Sequence, residues 1–370
     1  MDNVTVFDHL GGQLDRLCQV LAMDPATPRD LLAGILGPHR ERPLSEPPAW
    51  PSDVADDHSS VEFSIAYNDT ESPALRILAE VPGTPPGVAG NMAAAYEFLA
   101  GQTARFGLST HRLEAVRDLF TVEDPQGNFG LWCSLVFRRG RSPEFKVYLN
   151  PELAGPDRAP ELVAAALHRL GLGDSYRTML AHAVRPGELG RADRLAFFAL
   201  DLHNGPQARV KLYLSHHDAE AADVARAAGV VDGVDPSDIV EFCSVAGGPG
   251  PFTARPLIGS YTLTEGADRP VGYSVYVPIR SYVGDDEEAR ERTAAALSRH
   301  GFDPVLLDRA IAAVTTRALD EGVGLLAHVS LRLGPPRPGV TVYLSAEAYE
   351  VRPPARSAYQ QPDHLRRPAA

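Results

Sequence analysis

The chain has 370 residues, enough for two average domains or one large barrel, and 44% hydrophobic residues can fill a sizeable core. A formal net charge of −13 argues against nucleic acid or an anionic membrane as the main partner. No apolar run approaches the roughly 18 residues of a membrane span, and Asp2 stands where a secretory leader carries positive charge, so a soluble, cytoplasmic protein is expected. Cys18, Cys133 and Cys243 are far apart and lack metal-ligand spacing, which reads as three buried free thiols.

Residues 1–50 read as an N-terminal helical extension. The first strand-like runs follow, SVEFSIAYN (60–68) and ALRILAEV (74–81). GLWCSLVFRRG (130–140) precedes EFKVYLNP (144–151), and RLAFFALDLHN (194–204) precedes ARVKLYLS (208–215). IGSYTLTEG (258–266) precedes GYSVYVPI (272–279), and GVGLLAHVSLRLG (322–334) precedes GVTVYLSA (339–346). All alternate with period two, and Gly, Pro, Asp and Asn in the short joints are hairpin chemistry. After each of the first four hairpins the period becomes helical, twice, as in NMAAAYEFLAGQTARFG and STHRLEAVRDLF.

The second strands are copies of one another. Tyr148, Tyr213, Tyr276 and Tyr343 recur at intervals of 65, 63 and 67 residues, and Arg76 lies 72 residues before Tyr148. The unit is strand–strand–helix–helix, used about five times. Ten antiparallel strands close most economically into a barrel, which removes the exposed edges. The expected fold is therefore α+β, a ten-stranded antiparallel β-barrel surrounded by helices. It forms a single domain over 1–353, with 354–370 as a disordered tail.

Alternation then assigns faces. One parity holds Lys146 and Tyr148; Arg209, Lys211 and Tyr213; Ser274 and Tyr276; Thr341 and Tyr343. The other holds aliphatics such as Val147, Leu149, Val210 and Leu212. Aliphatics suit the face under the helices, so the polar set lines the lumen. A single Lys-x-Tyr is ordinarily a solvated face, but four copies at near-constant spacing are not. A lumen lined by Lys and Arg is costly unless it holds an anion. Such cations with hydroxyl donors suit a diphosphate. Tyrosine faces beside them suit a carbocation and exclude water. Glu62 alternates with Ser64 and Ala66, opposite Phe63 and Ile65, and so faces the lumen. Near cations its carboxylate is expected to stay ionised.

Other apparent motifs carry less. Asp285 and Asp286 are acids at a helix start, not a DDxxD pattern. Asp56, Asp57 and His58 lack a partner cluster for a metal. His216 and His217 read as a loop pair after a core strand. GGPGP (247–251) lacks the Lys of a phosphate loop and reads as a turn.

VEFSIAY with ALRILAE, LWCSL with FKVYLNP, FALDL with RVKLYLSHH, GYSVYVPIRSYV, and GVGLLAHVSL with VTVYLSAEAYEVRPP occur in order across about residues 55–353. In these stretches the chain resembles the ABBA aromatic prenyltransferases, specifically the bacterial form of the dimethylallyltryptophan synthase branch. The resemblance implies transfer of a dimethylallyl group from dimethylallyl diphosphate to the indole of tryptophan or a derivative, with no metal and no other cofactor. It implies Glu62 as the carboxylate holding the indole N–H. Arg76, Lys146, Arg209 and Lys211 become diphosphate ligands, joined by Ser274 and Thr341, and Tyr148, Tyr213, Tyr276 and Tyr343 become the cation shield. Trp132 is a candidate wall of the acceptor pocket.

Two departures stand out. Fungal members carry a lysine on the strand before the first Lys-x-Tyr, and Leu131–Phe137 has none. They also have glutamine where this chain has Ser274. The final proton acceptor is therefore open between Glu62, a water and the released diphosphate. A phenolic acceptor such as tyrosine, or a binding barrel for a phosphorylated ligand without chemistry, are the alternative readings. Partners are small molecules only, and the chain is expected to be a monomer or homodimer.

Overall fold

The computed structural model describes residues 4–68, 72–205, 207–334 and 338–355. Ten strands form one closed antiparallel barrel: β1 (Val61–Asn68), β2 (Ala74–Ala79), β3 (Leu131–Phe137), β4 (Glu144–Leu149), β5 (Asp193–Asp201), β6 (Val210–His216), β7 (Leu257–Leu263), β8 (Gly272–Val277), β9 (Leu326–Leu333) and β10 (Gly339–Ser345). Each pairs with its chain neighbours, and β10 returns to pair with β1. The closing register sets Glu62 opposite Ser345 and Ser64 opposite Tyr343.

Outward residues of the strands, among them Val61, Phe63, Ile65, Leu75, Ile77, Val147, Leu149, Leu212 and Val275, are at most 1% exposed. They pack under the helices in one continuous core. Each such side chain contributes about 1.5–3 kcal/mol on burial. The apolar parity thus fixes which face turns outward, and the polar parity turns inward as a consequence.

The helices are α1 (Val6–Val20), α2 (Ala26–Leu36), α3 (Val88–Phe106), α4 (His111–Glu114), α5 (Ala159–Arg169), α6 (Gly173–Ala183), α7 (Ala221–Ala228), α8 (Pro236–Gly247), α9 (Asp286–Arg299) and α10 (Val305–Val314). None is long and apolar enough to cross a membrane. Three sequence expectations change here. STHRLEAVRDLF yields only the four-residue α4 and a short 3-10 turn at Arg117–Phe120. Thr110 makes no side-chain cap.

The N-terminal segment is not an appendage. α1 packs on α10, and α2 on α3. The Gln13 side-chain amide donates to the carbonyls of Val314 and Ala346, at 3.1 and 2.7 Å. Among the described residues no helix pair follows the hairpin β9–β10, and α1 and α2 supply the fifth pair of the outer ring. Finally, His216 belongs to β6 rather than to a loop. It is fully buried, its Nδ1 lies 2.9 Å from Asp193 Oδ1, and Asp193 also receives the buried Arg185.

Asp285 caps α9 through the Glu288 amide. Asp286 pairs with Arg317 and accepts from the Gly324 amide, as acids at a helix start should. Of the expected tail 354–370, residues 356–370 lie outside the described residues.

Candidate active site

Four cations gather at one end of the lumen. Arg76, Lys146, Arg209 and Lys211 line a cavity of about 750 Å³, together with Ser274 and Thr341. Asp201, on the inward parity of β5, is the counter-charge. Its carboxylate lies 3.3 Å from Lys146 Nζ and accepts from Arg209 Nε at 2.7 Å. Arg138, Arg332 and Glu144 line the same cavity, so cations outnumber carboxylates there. Arg76 Nε is buried with no hydrogen-bond partner, and Lys211 Nζ reaches only Ser260 Oγ, at 3.4 Å. Donors left open in a buried place are a costly arrangement unless a ligand accepts from them.

The charge states follow. Burial first, then Arg209, pushes the Lys146 ammonium down to about 8, partly offset by Asp201. Burial pushes Lys211 well below the usual lysine range, with Lys146, Arg209 and Arg76 adding repulsion. Asp201 is held well below the usual carboxylate range: burial opposes ionisation, but Lys146 and Arg209 outweigh it.

Beside the cations the aromatic rings form an arc. Ring centroids are 5.7 Å apart for Tyr148–Tyr213, 5.7 Å for Tyr213–Tyr276 and 6.0 Å for Tyr276–Tyr343. Phe197, which the sequence reading passed over, sits edge-on to both Tyr148 and Tyr213. It shares the inward parity of Ala199 and Asp201 on β5 and lies opposite Tyr213. Burial, as the leading cause, raises the phenols of Tyr148, Tyr213 and Tyr343 above the ordinary range, Tyr148 to about 12. They therefore stay neutral and present their π-faces.

Beyond the arc lies a small apolar cluster. Trp132 stacks on Phe129 at 4.0 Å and packs with Val54, Leu78 and Phe197. Its indole nitrogen is buried and unpartnered. Glu62 stands inward on β1, 6% exposed. The expectation that it stays ionised is overturned. Burial pushes its carboxyl up to about 8; Arg280 pulls it down, while Asp56 and Asp57 push it further up. The four lumen cations belong to the other end and do not offset this. Arg280 and His328 are further residues the sequence reading missed. Arg280 Nη1 donates to the Ala327 carbonyl at 2.9 Å and lies 3.0 Å from His328 Nδ1. His328 contacts the Tyr343 ring. The inward parity of β9 pointed to His328, whereas Arg280 follows β8 in a turn where parity gives no direction.

Asp56 and Asp57 hold no metal geometry. Asp56 is bound by Arg255 and Arg280, and Asp57 accepts from the amides of Ser59 and Ala348. Among the described residues no group of three or more His, Cys, Asp or Glu is placed to hold a metal ion.

The lumen thus carries a cluster of cations, an aromatic arc and an apolar cluster beside one carboxyl, in that order. The tryptophan dimethylallyltransferase family profile matches residues 28–306. The chain belongs to this family. A 6-dimethylallyl tryptophan synthase structure is 68% identical, with a TM-score of 0.93 over 96% of this chain and 99% of that one. The 6-dimethylallyltryptophan synthase of Micromonospora olivasterospora, in complex with DMASPP and Trp, is 69% identical, with a TM-score of 0.92 over 95% and 99%. The 5-dimethylallyltryptophan synthase of Streptomyces coelicolor is 37% identical, with a TM-score of 0.87 over 95% and 100%. As a tryptophan dimethylallyltransferase family member, the chain is an aromatic prenyltransferase with the barrel of the ABBA fold. The binding-barrel alternative falls away.

Proposed function

We propose that this chain transfers the dimethylallyl group of dimethylallyl diphosphate to C6 of free L-tryptophan. The similarity to two 6-dimethylallyltryptophan synthases, at 68% and 69% identity, supports the position on the ring. The observation that carries the reaction itself is the order of the three zones in one lumen: open cations, then tyrosine rings, then Glu62 beside Trp132.

In this reading Arg76, Lys146, Arg209 and Lys211 take the diphosphate, with the Ser274 and Thr341 hydroxyls. As the C–O bond breaks, negative charge grows on the bridging oxygen, and these preplaced groups stabilise it where it appears. The side chains do for the diphosphate what a bound metal ion does elsewhere, and the reaction needs none. Tyr148, Tyr213, Tyr276 and Tyr343, with Phe197, face the allylic cation and keep water from it. Trp132 and Phe129 form the wall against which the indole ring lies.

Glu62, once ionised, accepts the indole N–H and raises electron density in the ring that attacks. The attack forms the ring C–C bond, and the proton then leaves the same ring carbon. C6 is three bonds from N1 and its C–H points out from the benzo ring, so Glu62 at N1 is badly placed to take that proton. The released diphosphate, held beside the tyrosines, is the nearest base. All these groups come from one chain, so a monomer is a complete catalyst, and its diphosphate and amino-acid substrates place it in the cytoplasm.

Incubation with L-tryptophan and dimethylallyl diphosphate in the presence of chelator, followed by mass and NMR analysis, tests the proposal. The expected product is tryptophan plus one dimethylallyl group with the C6 proton lost. A product substituted at another ring position overturns the C6 assignment. Turnover of tyrosine with none of tryptophan overturns the acceptor.

A further inference from the structure

Residues 51–60 form a strap of chain that leads into β1 and lies against the Trp132 cluster. Val54 packs into the cluster on Trp132, and Asn128 donates to Asp53 at 2.8 Å. The strap delivers Asp56 into a knot of three arginines from three other segments. Arg280 follows β8, Arg255 precedes β7 and Arg352 follows β10. Arg280 Nη2 lies 2.9 Å from Asp56 Oδ1, Arg255 Nη2 lies 3.0 and 3.1 Å from its two oxygens, and Arg352 Nη1 lies 3.4 Å away. Three guanidinium groups share one carboxylate here. Asp57, the next acid, is spent on backbone amides.

The arginines differ in what they have left to give. Arg280 is 8% exposed in its side chain and uses Nη1 on Ala327 and His328 and Nη2 on Asp56. Arg255 is 39% exposed in its side chain, and among the described residues only its Nη2 is engaged. Its Nη1 and Nε remain open. Its backbone is pinned on both sides by the Tyr282 hydroxyl, which accepts from the Arg255 amide and donates to its carbonyl. Its charge is felt at the buried lumen residue His328, and Arg280, its neighbour on Asp56, acts on Glu62. Arg255 is therefore a rigidly based cation with spare donors, at the same end of the barrel as Glu62.

We propose that Arg255 is the receptor for the α-carboxylate of the acceptor amino acid, and that Asp56 and Arg280 are positioning residues that hold it in place. This rests on tryptophan as the acceptor. An indole whose N–H meets Glu62 projects its C3 substituent only a few bonds away, toward the surplus positive charge. A carboxylate on Arg255 makes charge-assisted hydrogen bonds that a neutral or cationic substituent cannot. The chain then selects free amino acids over amines such as tryptamine. It also fixes two points of the indole, N1 and C3, which orients the remaining edge toward the donor.

The test uses Arg255→Ala and Arg255→Lys in the full chain. Binding of L-tryptophan, indole-3-propionate and tryptamine is followed by calorimetry with dimethylallyl thiolodiphosphate bound, and turnover with the true donor. Binding reports on the anchor even in a chain that fails to turn over, and wild-type turnover of tryptophan reports separately on the proposed reaction. Arg255→Ala is expected to weaken tryptophan and indole-3-propionate by about 10–100-fold, the range of a charged hydrogen bond, and tryptamine far less. Arg255→Lys is expected to recover part of the loss. Equal weakening of all three ligands shows a structural role only, and no weakening of tryptophan shows the carboxylate sits elsewhere. Either result overturns the proposal.

Discussion

Lys146 and Asp201 are direct partners across the β4–β5 register, with Nζ 3.3 Å from Oδ1, in a cavity that Arg76, Arg209 and Lys211 also line. One carboxylate placed among four cations keeps them folded together before any diphosphate arrives. Removing it leaves buried charges uncompensated. Asp201→Asn is therefore expected to raise the KM for the donor by about tenfold or more, as the loss of a charge-assisted contact implies, with a smaller change in KM for tryptophan. Steady-state kinetics with each substrate varied in turn checks this.

Donor binding should take up protons. Lys146 is pushed down to about 8 in the empty lumen, chiefly by burial. A diphosphate supplies the opposite charge and moves it back up. Above pH 8 the free enzyme has lost that proton and must regain it, so donor affinity falls as pH rises. Calorimetry at pH 8.5 in buffers of different ionisation enthalpy should show net proton uptake, which Lys146→Met reduces and Lys211 sustains in part.

Glu62 acts in the opposite sense. Only the ionised form accepts an N–H, and in the empty lumen it ionises at about 8. The rising limb of kcat/KM for tryptophan therefore belongs to Glu62. Glu62→Gln removes the rising limb and lowers the rate by about 10²-fold or more, the lower range of acid–base contributions.

The same residue leaves a mark on stability. Its folded value lies above the unfolded 4.5, so the folded state binds more protons and the residue costs stability as pH rises from about 4.5. The penalty levels off above about 8 and amounts to at most about 5 kcal/mol, at about 1.4 kcal/mol per unit. Glu62→Gln should melt with the wild type at pH 4.5 and above it at pH 8.5. Thermal melts at both values check the sign.

The tyrosine arc should matter for its rings more than its hydroxyls. Tyr148→Phe is expected to keep activity within a few-fold. Tyr148→Ala opens the arc between Tyr213 and Trp132 and admits water to the allylic cation. Its signature is dimethylallyl alcohol formed in excess of prenylated tryptophan, measured by chromatography.

Most of the barrel was legible because strand parity and a repeat of about 65 residues are both properties of the chain itself. Lys146, Arg209, Lys211 and the four tyrosines share one parity, and closure brings them together. What stayed hidden lies where the chain leaves a strand. Arg280, Arg255 and Asp56 sit in turns, where no period assigns a direction. Phe197 shares the inward parity of Ala199 and Asp201 on β5 and was open to the same reading. The charge state of Glu62 was misjudged for a related reason: sequence shows that cations are present in the lumen, but not that they lie at its far end.

The seam between β1 and β10 joins residues nearly three hundred positions apart, Glu62 beside Ser345. During synthesis the first strand waits for the last, and the helix pair α1–α2 waits with it for α10. A ribosome must deliver almost the whole chain before the chamber can shut. Until then two unpaired sheet edges stand open and no enclosed space exists in which an allylic cation survives water. A chain cut short before residue 339 should accordingly be both insoluble and inert.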